Sequence, residues 1–99
     1  MLNEAQYDYV KGLLVERMSK YRRNSFRLDR LYNIIHEQTN SESYVTFTYD
    51  DFYQMFQAEC VSGKIPYRKF SISEEGFLDK KKKYPYANVS VEVLKKVKS

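Results

Sequence analysis

The side chains that most often carry out chemistry are scarce in this 99-residue chain, which has one histidine, one cysteine and three glycines. A nucleophilic Cys–His pair would have to join His36 to Cys60, and nothing in the sequence around either residue indicates one. Gly12, Gly63 and Gly76 lie too far apart for a phosphate-binding loop. No Cys/His cluster has the spacing of a zinc site. We therefore expect a protein that is not an enzyme and uses neither a metal nor another cofactor.

Other absences bear on where the protein works. A single cysteine cannot form an internal disulfide, and no apolar run approaches the roughly 20 residues of a membrane span. The first residues lack the basic and apolar pattern of a signal peptide. We expect one cytoplasmic domain over residues 1–99 with no membrane partner. Scarce Gly and Pro beside abundant Lys, Tyr, Ser and Phe are typical of AT-rich genomes, including those of phages and mobile elements.

Aromatic side chains and an uneven charge distribution are what the sequence has in quantity. Ten tyrosines and six phenylalanines make up 16% of the chain, enough large rings to form a core. Residues 1–30 carry a net charge of +3, residues 31–60 carry −5, and residues 61–99 carry +6. Two basic ends therefore flank an acidic middle, which indicates a surface with separated signs of charge.

Two helices are predicted in the first part of the chain. Asn3 and Gln6 have the spacing of a capping box and begin a helix over about residues 4–22. Its apolar positions recur at steps of three and four: Tyr7, Val10, Leu14, Met18 and Tyr21. A short break over residues 22–25 precedes a second helix over about 26–38, ended by the polar run from Gln38. Because the break is short, we expect a helical hairpin.

A short strand is predicted over Tyr44–Phe47, where apolar and polar residues alternate. Thr48 then caps a third helix, with Asp51 at the capping-box position. Its apolar face is formed by Tyr49, Phe52, Tyr53, Phe56 and Cys60. Gly63 and Pro66 end this helix.

The last third of the chain is predicted to form strands. One contains Tyr67, Phe70 and Ile72, and the other contains the alternating valines Val89, Val91 and Val93. The two would pair as an antiparallel hairpin. Residues 73–88 are long for a structureless loop, so a fourth helix from Ser71, ended by Pro85, is the alternative. The expected fold class is α+β: an N-terminal helical hairpin and a third helix packed on a small antiparallel sheet.

Ordinary structural roles account for the remaining chemistry-bearing residues. His36 lies near the end of the second predicted helix, where a partly cationic ring suits the helix dipole. Cys60 falls on an apolar helix face and is expected to be a small core residue. Asp50 and Asp51 stand in the first turn of a helix, where carboxylates stabilise exposed N–H groups. None of these residues needs a catalytic explanation.

Two basic surfaces are the candidate binding sites. The first lies at the junction of the first two predicted helices and consists of Arg17, Lys20, Arg22, Arg23, Arg27 and Arg30. The second combines a lysine run with tyrosines: Lys80, Lys81, Lys82, Lys83, Tyr84 and Tyr86. Basic side chains gain free energy by releasing counterions from a nucleic-acid backbone, and tyrosines stack on bases. The alternative for the lysine run is a solvated surface loop.

The order helix, strand, helix, strand, strand over about residues 26–97 resembles that of a winged-helix domain, in which a basic hairpin wing contacts DNA. The resemblance would put Lys80–Lys83 near the wing tip. Two features depart from it. Only one helix is predicted between Thr48 and Gly63, where a winged helix needs a second and third helix around a tight turn. That helix is also acidic, so phosphate would repel it.

Three hypotheses about function follow. The first is a small basic nucleic-acid-binding protein, a regulator or accessory factor of a phage or mobile element. The second is a phage-type inhibitor or adaptor that binds a host or defence complex through an acidic surface of that complex, or through its own acidic residues acting as phosphate mimics: Glu37, Glu42, Asp50, Asp51 and Glu59. The third is a homodimer formed through the first helix.

Overall fold

Three helices and three strands form the part of the chain that the computed structural model describes, residues 2–75 and 86–94. The helices are α1 (Glu4–Ser19), α2 (Leu28–Ser43) and α3 (Tyr49–Phe56), and a π-helical turn (Gln57–Val61) continues α3. The strands are β1 (Ser25–Arg27), β2 (Arg68–Glu75) and β3 (Tyr86–Val93). The predicted α+β class is confirmed at this level.

β3 is the central strand of a three-stranded antiparallel sheet with the order β1-β3-β2. β2 and β3 form the predicted antiparallel hairpin, in which Phe70 lies opposite Val91. The same pairing continues to Glu75 and Tyr86, so the alternative of a fourth helix from Ser71 is wrong. Residues 76–85, which include Lys80–Lys83 and Tyr84, lie outside the described residues.

The strand that joins α1 to α2 was not predicted. Residues 25–27 pair with residues 88–90 of β3, and Phe26 lies opposite Val89. The Phe26 ring packs edge-on against Tyr21 at 4.9 Å and Phe56 at 6.0 Å between centroids. Three residues are too few for alternation to reveal a strand, and β1 is stabilised by a partner distant in sequence.

The prediction of a strand over Tyr44–Phe47 is wrong. Tyr44 has a left-handed backbone (φ 55°) and caps the end of α2, with its side chain 88% exposed. Val45 and Phe47 are buried and Thr46 is exposed, so the alternation of apolar and polar residues comes from alternate burial of side chains in a connection, not from a strand. No strand among the described residues pairs with this segment, which connects α2 to α3.

The limits of the first two helices also differ from those predicted. α1 has the expected capping box, with Asn3 and Gln6 bonded in both directions, but ends at Ser19. α2 continues five residues beyond the predicted end at 38. The Thr39 hydroxyl is buried and shares its one hydrogen between the carbonyl oxygens of His36 at 3.1 Å and Val45 at 3.3 Å, which stabilises this polar extension. His36 is therefore well inside α2, against the Tyr32 and Phe47 rings, and the helix-end interpretation is wrong.

The helices and the sheet share one hydrophobic core. Tyr9 donates to Glu42 at 2.8 Å, which joins the first half of α1 to the last turn of α2 as in an antiparallel pair. The predicted neighbours therefore do pack together, although β1 interrupts the hairpin. Fully buried side chains come from α1, α2, α3 and β3: Val10, Leu14, Met18, Leu28, Ile35, Phe52, Phe56 and Val89. Val10, Leu14 and Met18 of the predicted α1 stripe are therefore core residues.

α3 begins and is buried as the sequence predicted. The Thr48 hydroxyl accepts a hydrogen bond from the Asp51 backbone N–H at 3.1 Å, and Asp50 and Asp51 occupy the first turn. Phe52, Phe56 and Cys60 are at most 1% exposed. Gly63 follows the π-helical turn with a φ of 84°, a conformation that glycine adopts without strain.

Candidate functional site

A cleft of about 550 Å³ opens between the end of α1, β1 and the first turns of α2. Four of the six basic residues predicted at this junction line it: Arg17, Arg23, Arg27 and Arg30. Its apolar lining consists of Met18, Tyr21, Phe26, Leu31 and Ile34. Ser25 and Asn88 add polar side chains, and no acidic residue of the described chain lines the cleft. We call this feature the arginine cleft.

The other predicted residues lie apart from the arginine cleft. Lys20 lines a neighbouring depression of about 300 Å³ together with Arg17 and pairs with Glu16 at 3.4 Å. Arg22 is exposed in the connection after α1 but does not line the cleft. Tyr86 is the first residue of β3, and its side chain, like Lys80–Lys83 and Tyr84, is outside the described part of the structure.

Arg27 is fixed in place by a carboxylate that the sequence analysis did not single out. Its Nε and Nη2 donate to the two oxygens of Asp29 at 3.1 and 2.8 Å, a fork-to-carboxylate geometry that is strong and directional. Asp29 is buried in the first turn of α2, where the helix dipole favours a negative charge. The Arg27 charge is thus offset locally. Within residues 2–75 and 86–94, no ion pair engages the exposed arginines Arg17, Arg23 and Arg30.

Arg68 is buried and hydrogen-bonds to Tyr21, which lines the arginine cleft. It is 8% exposed and donates from Nε to the Tyr21 carbonyl at 2.7 Å and from Nη1 to the Tyr67 carbonyl at 3.0 Å. The bond to Tyr21 ties β2 to the connection that carries Arg23. A signal was present in the sequence, because a period of two from Phe70 puts Arg68 on the buried face of the strand.

The acidic residues do not form one exposed surface. Glu59 is 5% exposed, accepts a hydrogen bond from the Tyr7 hydroxyl at 3.1 Å, and lies 3.6 Å from Lys64 and 3.9 Å from Lys11. It is therefore not accessible as a phosphate mimic.

The thiol of Cys60 is not reactive at neutral pH. Burial, and then the Glu59 charge, raise the pKa of this thiol to about 12, so it stays protonated and is a poor nucleophile.

Two features are absent from residues 2–75 and 86–94. No group of three His, Cys, Asp or Glu side chains there is arranged to hold a metal ion. No helix there has the length and apolar character to cross a bilayer.

No family model, curated protein or solved structure matches this chain. Its class is the one that its architecture defines: a small α+β fold with three helices and a three-stranded antiparallel sheet over the described residues. The arginine cleft, at the junction of α1, β1 and α2, combines four guanidinium groups with a lining that contains no carboxylate among the described residues.

Proposed function

We propose that the protein is a small, non-enzymatic nucleic-acid-binding protein whose arginine cleft contacts the phosphate backbone. One observation carries this proposal: the fold brings Arg17, Arg23 and Arg30 from three different segments to one cleft without a carboxylate in its lining. Guanidinium groups match phosphate geometry, and neutralising phosphates releases counterions. A regulator or accessory factor of a phage or mobile element is the role we propose for it.

The arrangement of helices and strands supports a winged-helix-like version of this function. Both α2 and α3 were predicted, but with a strand between them; because that strand is absent, the two helices are joined directly by residues 44–48, as in the helix pair of a winged helix. The β2–β3 hairpin follows them, and in sequence Lys80–Lys83 and Tyr84 fall between its strands. We propose this segment, with Tyr86, as a second nucleic-acid contact.

α3 is not assigned a contact with nucleic acid. Asp50 and Asp51 occupy its first turn, and the helix contains no lysine or arginine. Phosphate groups would be repelled by that end of the helix. The proposal therefore places nucleic acid at the junction of α1, β1 and α2, with the lysine run as the additional basic element.

The test compares two variants that lose the same charge. Arg17→Gln/Arg30→Gln removes two cations from the arginine cleft, and Lys64→Gln/Lys69→Gln removes two exposed cations elsewhere. Fluorescence anisotropy with a labelled oligonucleotide at fixed salt measures the dissociation constant. We expect the cleft variant to bind at least about tenfold more weakly, because two phosphate contacts are lost, and the control to stay within about twofold. Equal losses in the two variants, or no binding by the wild type, would refute the proposal.

An inhibitor or adaptor that binds a host or defence protein is the second candidate, and one observation favours it. Tyr67, Val93 and Leu94 are each 42–43% exposed at the open end of the β2–β3 hairpin, where the Leu94 N–H donates to the Tyr67 carbonyl. Neighbouring exposed apolar side chains are a feature of protein interfaces. Affinity purification with and without nuclease separates the candidates, since a protein complex that survives nuclease favours the second.

A further inference from the structure

We propose that the arginine cleft holds one unpaired nucleotide of a single strand. Its phosphates would contact the rim, formed by the exposed arginines Arg17, Arg23 and Arg30, and its base would pack on the floor, formed by the apolar lining. This rests on the proposed function and adds the form of nucleic acid that is recognised. The accessible part of the apolar floor is formed by Tyr21, Phe26 and Ile34, and the buried side chains of Met18 and Leu31 lie beneath it. Ile34 is 46% exposed on the same cleft, so an apolar surface there faces solvent.

The rim and the floor together favour an unpaired nucleotide over a duplex. A duplex presents phosphates on its outside and keeps the faces of its bases stacked within, so it would leave the floor exposed to water. A base in a single strand has a free face that packs on aromatic and apolar side chains. Phe26 and Tyr21 are half-buried rings on the cleft and provide such a surface.

The size of the cleft and one polar side chain agree with this occupant. About 550 Å³ lies within the range of roughly 300–1,000 Å³ typical of small-ligand sites, which suits one nucleotide rather than a stretch of helix. Asn88 is half-buried in β3, opposite Arg27, and lines the cleft. Because a side-chain amide both donates and accepts, we assign Asn88 the hydrogen bonds to the base edge.

The experiment uses three fluorescent probes of equal length: an oligothymidine, the same strand with abasic sites in place of every base, and a duplex. Binding is measured by anisotropy at one salt concentration. We expect the oligothymidine to bind at least about fivefold more tightly than either other probe, because stacking of a base contributes to affinity. Ile34→Ala should remove much of that preference, while Val61→Ala, an equivalent change at an exposed site away from the cleft, should retain it.

Each contrary outcome has a distinct meaning. Equal affinity for all three probes, or tighter binding of the duplex, would overturn the single-strand inference and leave the proposed function standing. Failure of all three probes to bind would overturn the proposed function as well. Displacement of the oligothymidine by a glutamate-rich peptide as effectively as by unlabelled oligothymidine would identify the cleft as a carboxylate site and reject a nucleotide.

Discussion

The Arg68 guanidinium donates from Nε to the carbonyl oxygen of Tyr21 at 2.7 Å and so connects β2 to the segment between α1 and β1. The same side chain donates from Nη1 to the Tyr67 carbonyl, which also accepts from the Leu94 N–H at 2.9 Å. The buried Arg68 side chain thus hydrogen-bonds to backbone carbonyls at two places in the fold. The segment that it holds at Tyr21 carries Arg23, one of the four arginines that line the arginine cleft.

Arg68→Met tests how much these two hydrogen bonds contribute to stability. Methionine fills similar apolar space but donates no hydrogen bond, so two carbonyls lose a charged donor. We expect the free energy of unfolding to fall by about 2–4 kcal/mol: bonds to charged groups contribute roughly 1.5–3 kcal/mol each, but the Tyr67 carbonyl keeps its bond from the Leu94 N–H, so the loss there is partial. Urea unfolding measures it. Lys69→Met, at the next and exposed position of β2, is the control and should change stability by less than about 0.5 kcal/mol. Equal effects of the two changes would contradict the role assigned to Arg68.

Tyr7 predicts a dependence of stability on alkaline pH. Burial first, and then its hydrogen bond to Glu59, raise the pKa of the Tyr7 hydroxyl above 10.0. A raised pKa in the folded state contributes stability that is fully present below the unfolded pKa and is lost as pH rises through the folded value. We therefore expect wild type to lose stability relative to Tyr7→Phe above about pH 10. Denaturant unfolding across that range measures the difference, and a difference that does not vary with pH would contradict it.

Local sequence signals identified the parts of the fold that depend on neighbouring residues. The capping residues Asn3 and Thr48 marked two helix starts correctly, and the alternation of Val89 and Val91 identified the central strand. β1 escaped detection because its three residues are strand only through pairing with β3. Tyr44 was misplaced because a strand pattern and a buried connection both alternate, and only the tertiary structure distinguishes them.

The candidate site, like the fold, was predicted from the sequence only in part. Their clustering in the sequence indicated that the arginines between residues 17 and 30 lie near one another, but not which of them line one cleft. Lining of the cleft by Arg17 and Arg30 depends on the packing of α1 against α2, and the offset of the Arg27 charge depends on the local geometry of Asp29. The apolar floor could not be predicted from the sequence. Tyr21, Phe26 and Ile34 belong to three separate segments, and the first two also pack against the core.

The salt dependence of binding tests the central claim most directly, because it counts the phosphate contacts that the arginine cleft makes. The dissociation constant of a single-stranded oligonucleotide is measured over a series of salt concentrations for wild type, Arg17→Gln/Arg30→Gln and Lys64→Gln/Lys69→Gln. Loss of two phosphate contacts should reduce the slope of log K against log salt by about 1.4 in the cleft variant. The slope of the control should stay that of wild type. Equal slopes for all three proteins, or the larger reduction in the control, would contradict the assignment of nucleic-acid binding to the arginine cleft.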